Sequence, residues 1–145
     1  MKGRAIAIRY FTKTGNTKRL AEQIADITGC IAQTMDKPVE GDIDILFLGA
    51  SVYWGGVDKE VKGFIESLDA RKIGKVAVFS TSALAERAYP EISRLLRAKG
   101  ITIDNNEFYC RGQFKVIHRG KPDVDDLKAI KEYAKIVCNE EQVVQ

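Results

Sequence analysis

The run Ala5-Ile6-Ala7-Ile8-Arg9-Tyr10-Phe11, the turn Thr12-Lys13-Thr14-Gly15-Asn16-Thr17 and the segment Arg19 to Ile27 decide the fold between them. The first piece is apolar and has the length of a strand. The last places Leu20, Ile24 and Ile27 on one helical face. A strand that passes through a hydroxyl-rich turn around one glycine into a helix makes an anion pocket. The helix N-terminus supplies backbone N–H groups and a partial positive charge. Gly15 lets the backbone come close to the anion, and the Thr and Asn side chains add neutral donors.

Working outward, strand and helix patterns alternate. Strands are expected at 4–11, 30–35, 43–50, 75–80 and 101–110, with helices at 16–28, 57–68, 89–99 and 123–139. The second helix turns Val61, Phe64, Ile65 and Leu68 inward, and the last turns Leu127, Ile130, Ala134 and Val137 inward. Gly29 and Gly100 suit helix ends, and Pro90 suits a first turn. The segment 36–42, with Pro38 and Gly41, is too short for a crossover helix. Ile43 to Ala50 is apolar throughout, as a strand buried on both faces should be, whereas 101–110 is polar enough for a sheet edge.

Five strands separated by helices predict an α/β fold: a parallel sheet with helices on both faces and right-handed crossovers. Such sheets bind ligands beyond the carboxyl ends of the strands, where strand order reverses. The 12–17 turn lies there, and the loops 51–56 and 80–87 converge on the same edge.

Composition bounds the rest. A chain of 145 residues, 45% hydrophobic and 30% charged, is one soluble globular domain spanning 1–145. No apolar run approaches the roughly 18 residues of a spanning helix. The start Met1-Lys2-Gly3-Arg4 reads as the approach to a strand, not as a signal peptide. Cys30, Cys110 and Cys138 are odd in number and scattered, which argues against a disulfide framework or a metal site and for a reducing cytoplasm. His118, the single histidine, reads as a solvated loop residue. A net charge of +3 does not argue nucleic-acid binding.

On these residues the chain resembles the flavodoxins over nearly its whole length. Thr12, Thr14, Gly15, Asn16 and Thr17 match that family's phosphate signature, and Lys13 fills its variable position. The stretch Gly49-Ala50-Ser51-Val52-Tyr53-Trp54-Gly55-Gly56 is similar to the family's flavin loop, and Ser80-Thr81-Ser82-Ala83-Leu84 stands where backbone groups meet the pyrimidine edge. The resemblance implies a three-layer flavodoxin-like fold with strand order 2-1-3-4-5. It further implies FMN as cofactor, with its phosphate on Thr12 to Thr17. Trp54, or alternatively Tyr53, would stack on the ring, and Ser51, Val52, Gly55, Gly56, Thr81, Ser82, Ala83 and Leu84 would line it. The Gly55–Gly56 peptide would flip on one-electron reduction and favour a semiquinone. The resemblance thus implies a low-potential electron carrier with no catalytic residue or metal of its own, a monomer or weak dimer, serving redox partner proteins. Cys110-Arg111-Gly112-Gln113-Phe114 is similar to a segment that some members carry after the fifth strand, either a flavin contact or a plain turn.

Two departures stand out. The sequence pI is near 8.7, where flavodoxins are usually acidic. Lys13, Lys18, Arg19, Lys59, Arg87, Arg111, Lys115, Arg119 and Lys121 outnumber Asp36, Asp58, Glu60, Glu86 and Asp123 at the expected binding edge, so acidic partners are expected. Ala83 and Leu84 replace the aromatic residue that often covers the outer flavin face. That opening keeps a second expectation alive, a flavin oxidoreductase of the protoporphyrinogen oxidase or quinone-reducing kind. A third is a binding module without flavin. The order of elements also fits receiver domains and small tyrosine phosphatases. The former need an Asp ending strand three, where Gly49-Ala50-Ser51 stands, and the latter a Cys-to-Arg anion loop after strand one, which is absent. A Gly-x-Gly-x-x-Gly fingerprint is also missing.

Overall fold

The computed structural model describes residues 5–13, 15–52, 56–82, 88–111, 120 and 122–143. Five strands, β1 (Ile6–Tyr10), β2 (Ala32–Thr34), β3 (Ile43–Val52), β4 (Ile73–Ser82) and β5 (Ile103–Arg111), form one sheet in the order β2-β1-β3-β4-β5. All four pairings are parallel. Three helices connect strands, α1 (Asn16–Thr28), α2 (Lys59–Glu66) and α3 (Tyr89–Ala98), and a fourth, α4 (Val124–Val143), follows β5. The expected fold and strand order are both present.

Strand alternation splits the core into two halves. Ile8, Tyr10, Ile45, Phe47, Ala77 and Phe79 face α1 and α4, while Ala7, Leu46, Leu48, Ala50, Val76 and Val78 face α2 and α3. Both faces of β3 are therefore buried, which is why its sequence shows no polar alternation. Leu20, Ile24, Ile65, Ile92, Leu96 and Ile130 close the two layers and are fully buried or within 1% of it. Each such side chain contributes about 1.5–3 kcal/mol relative to exposure.

The link from β2 to β3 contains no helix, as its length predicts, so the sheet needs another cover there. Arg9, 7% exposed, supplies it. Its guanidinium donates to the carbonyls of Lys37 at 2.9 Å and Pro38 at 2.8 Å and so ties the connection across β1.

Element ends differ from expectation for local reasons. Helix α2 starts at Lys59, not at Val57, because Asp58 is extended and caps it. Strand β4 starts at Ile73 rather than Lys75. Gly74 lies within the strand, where a Cβ would meet the Asp44 carbonyl oxygen at 2.5 Å. The second strand is three residues long, and the fifth begins at Ile103. Helix α1 has the expected bounds, and Gly29 closes it with its N–H on the Ala25 carbonyl at 2.8 Å.

Candidate functional site

Because every strand is parallel, the segments leaving β1, β3 and β4 emerge at one edge of the sheet. The first is the 12–17 turn. The Thr12 hydroxyl accepts the Gly15 N–H at 3.0 Å, folding the turn on itself. Gly15 precedes α1 in the left-handed region, at φ 89°. Helix α1 carries no side-chain cap and no acidic residue in its first turn. Its N-terminal partial charge thus meets no carboxylate from the helix's own first turn.

The other helices differ. Asp58 accepts the Glu60 N–H at 2.9 Å and caps α2. Helix α3 has Glu91 in its first turn. Helix α4 has Asp125 and Asp126 there, and Asp123 and Asp126 exchange backbone N–H bonds at 2.9 and 3.0 Å. Among the described helices, α1 is the one whose positive end lacks an acid.

Three hydroxyls lock the turn to the sheet. Thr17 is fully buried, and its Oγ1 lies 2.5 Å from Ser51 Oγ and 3.2 Å from Thr81 Oγ1. Ser51 and Thr81, neighbours in the β3–β4 register, are 3.3 Å apart. One turn of α1 and the ends of β3 and β4 are thereby held in a fixed relation. Such bonds are worth about 0.5–1.5 kcal/mol each when made, and more is lost when one partner is removed from a buried cluster. Gly49 makes this seating possible: a Cβ there would lie 2.4 Å from the Phe79 ring and 2.9 Å from Thr17 Cγ2.

The remaining sequence-expected residues fall as follows. Asn16 is buried at the start of α1, Thr12 is half-buried, and Lys13 is exposed. Lys13 Nζ sits 3.4 Å from Asp58 Oδ2. The Glu60 amide, with Lys13 beside it, holds the Asp58 carboxyl below the usual carboxylate range. Val52 ends β3, and Ser82, which is buried, ends β4 opposite it. Gly56 follows with φ 96°. Thr14, Tyr53, Trp54, Gly55, Ala83, Leu84, Arg87, Gly112 to Arg119 and Lys121 lie outside the described residues. Tyr89 turns toward β5 and donates to the Asp104 carbonyl at 3.2 Å.

Sequence reasoning counted Asp58 among the charges of this edge without seeing it as the cap of α2, and it missed Glu91. Asp58 has a legible signal, an N-cap residue type just before a helical pattern. Glu91 has none, since its partner is 34 residues away: the Val57 N–H donates to Glu91 Oε1 at 2.9 Å.

A pocket of about 290 Å³ opens beside the turn, lined by Tyr10, Phe11, Thr12, Met35, Asp36 and Glu60. Its two carboxylates make it a poor seat for a phosphate. Among the described residues no cluster of three or more His, Cys, Asp or Glu side chains could hold a metal ion. No described helix is long and apolar enough to cross a membrane.

Comparison with known proteins agrees with this geometry. The family model described as flavodoxin domain matches residues 7–121. An uncharacterized protein of Methanocaldococcus jannaschii is 30% identical over 137 residues, covering 84% of this chain and 89% of its own length. A flavodoxin from the domain Archaea superposes with a TM-score of 0.77 at 17% identity, covering 94% of this chain and 97% of that one. A Lactobacillus acidophilus flavoprotein solved with FMN has a TM-score of 0.55 at 18% identity, with 75% and 93% covered. At these identities the solved structures establish likeness of fold.

Proposed function

The chain belongs to the flavodoxin domain family, and we propose that it binds FMN and carries single electrons between redox partner proteins. The observation that carries this reading is the start of α1, where a left-handed glycine opens a helix with neither cap nor acid. The donor set fits a phosphate. The backbone amides of the first helical turn hold it, Gly15 keeps the approach clear, and the helix dipole favours its charge. Among the described residues, chain neighbours aside, no atom lies within 4 Å of a Cβ built on Gly15.

Thr12 and Thr17 serve the site at one remove. The Thr12 hydroxyl orients the Gly15 amide, and the Thr17 hydroxyl anchors the helix start to Ser51 and Thr81. The ends of β3 and β4, from Ser51 and Thr81 onward, line the ring together with Trp54 or Tyr53. The flavin supplies the redox chemistry when bound, and the protein supplies orientation and electrostatics.

Lys18, Arg19 and Lys59 stand exposed at this edge, while Lys13 is engaged by Asp58. These exposed cations favour acidic partners and speed their encounter at low salt.

Titration of apoprotein with FMN, followed by flavin fluorescence and calorimetry, tests the reading. One FMN per chain, with quenched emission and a saturating heat, is expected. Absence of both sinks it. Reductive titration of the complex should then resolve two one-electron steps, and a single two-electron step would rule out the carrier role. Electron transfer to an acidic partner should slow as salt rises, and faster transfer to a basic partner would remove the charge argument.

A further inference from the structure

Glu91 lies in the first turn of α3, yet its carboxylate serves the connection that leaves β3. Oε1 accepts the Val57 N–H at 2.9 Å, and Oε2 lies 3.3 Å from Lys62 Nζ on α2. The side chain is 24% exposed. Val57 is 5% exposed, so its N–H would lack water if the carboxylate withdrew. Gly56 is the enabling neighbour. It holds φ 96°, and a Cβ on it would meet Glu91 Oε1 at 2.8 Å. The absence of a side chain at position 56 is what lets the carboxylate reach the next amide.

The two ends of this contact belong to different parts of the binding edge. Gly56 closes the segment that follows β3, and Glu91 belongs to the helix that follows β4. A carboxylate at a helix N-terminus is itself held by the dipole and cannot swing freely without losing that interaction. Lys62 fixes its other oxygen. The Gly56 backbone is thus clamped from the opposite side of the site, in a conformation that residues other than glycine adopt only under strain.

We propose that Glu91 is a positioning residue for the flavin site, holding the Gly56–Val57 backbone in the conformation that receives the flavin and so setting both FMN affinity and the first one-electron potential. The inference rests on the FMN reading above. The bond to Val57, rather than the charge, is the essential part. Glu91→Gln keeps an oxygen acceptor at the same reach but removes the charge. Glu91→Asp keeps the charge and shortens the reach by one methylene.

The experiment measures FMN dissociation constants and first one-electron potentials for the parent and both variants, with Val57 amide exchange followed in the apoproteins. Glu91→Asp should weaken FMN binding at least fivefold, move the potential and speed Val57 exchange. Glu91→Gln should stay within fivefold with the potential unmoved. Any other order of the two variants overturns the proposal, as does an affinity loss in Glu91→Asp with an unchanged potential, which would mark a merely structural contact. If the parent itself binds no FMN, the functional reading falls and this one with it. If the parent binds and the variants behave alike, only the role of Glu91 falls.

Discussion

Helices α1 and α2 start one strand apart at the same edge of the sheet, on opposite faces, and they solve the same problem in opposite ways. Each must satisfy N–H groups that have no partner inside the helix. Helix α2 does so from within: Asp58 caps it, and Glu60 adds an acid to its first turn. Helix α1 places a left-handed glycine where the cap would be and keeps acids away. A self-capped helix is stable in isolation from any ligand. An uncapped one leaves its positive end for an anion from outside. On the proposed FMN reading, the difference separates a turn built for the fold from a turn built for binding.

The largest effect should come from giving α1 an acid of its own, as α2 has. Gly15→Asp introduces a carboxylate at the cap position, and Asp tolerates left-handed backbone better than most residues. The new acid competes for the first-turn amides and repels a phosphate. FMN affinity should fall at least a hundredfold, roughly 2.7 kcal/mol, while the apoprotein melts within a few degrees of the parent. Retained binding would show that the start of α1 is not the phosphate site.

Seating the turn comes next. Gly49→Ala puts a methyl against the fully buried Phe79 ring and the Thr17 methyl. Overpacking of this kind costs about 1–3 kcal/mol. Chemical denaturation should report that loss. FMN binding should weaken as well, because the displaced Thr17 carries the α1 start away from Ser51 and Thr81. A variant as stable as the parent would mean that the helix start shifts freely, against the hydroxyl lock.

The reverse substitution on α2 should be milder. Asp58→Ala removes a cap and should cost about 1 kcal/mol in denaturant unfolding. FMN affinity should change less than threefold. The effect has a pH signature. The Asp58 carboxyl titrates below its ordinary value, mainly through the Glu60 amide, so its contribution is complete above pH 3.8 and is lost as pH falls through the folded-state value. The stability gap between parent and Asp58→Ala should therefore be constant near neutrality and narrow below about pH 4. A gap that widens in acid would refute the capping account.

The contrast between these helices was partly legible in sequence. Thr12 to Thr17 sits between an apolar strand and a periodic helix, so the anion turn follows from pattern alone. The sheet order was implied by the flavodoxin resemblance, and the α/β class by alternation. Less legible were the places where distant residues meet. Lys75 reads as the polar start of a strand, but its Nζ is 2.7 Å from Asp104 Oδ2 with both side chains nearly buried. That pairing depends on the irregular β4–β5 register after Val76, which no local pattern encodes. Arg9 interrupts an apolar run and looks like a surface residue, whereas it covers the sheet where no helix does. Glu91 looks like an ordinary first-turn acid. In each case the partner is set by topology, and propensity carries no record of it.

The smallest effect concerns the residue that joins the two helix starts. Lys13 belongs to the binding turn, but its ammonium lies beside Asp58 and its side chain is 57% exposed. An exposed pair of this kind contributes under about 1 kcal/mol and is screened by salt. Lys13→Met should lower stability by that amount in dilute buffer and by less in about 1 M salt, where the screening length shrinks to about 3 Å. In a double-mutant cycle with Asp58→Ala the coupling should shrink in parallel. FMN affinity should fall no more than threefold, because in the proposed reading backbone amides hold the phosphate, and the lysine already pairs with the cap of α2. A tenfold loss would instead place Lys13 on the phosphate and make the turn depend on a side-chain charge as well as on the helix end.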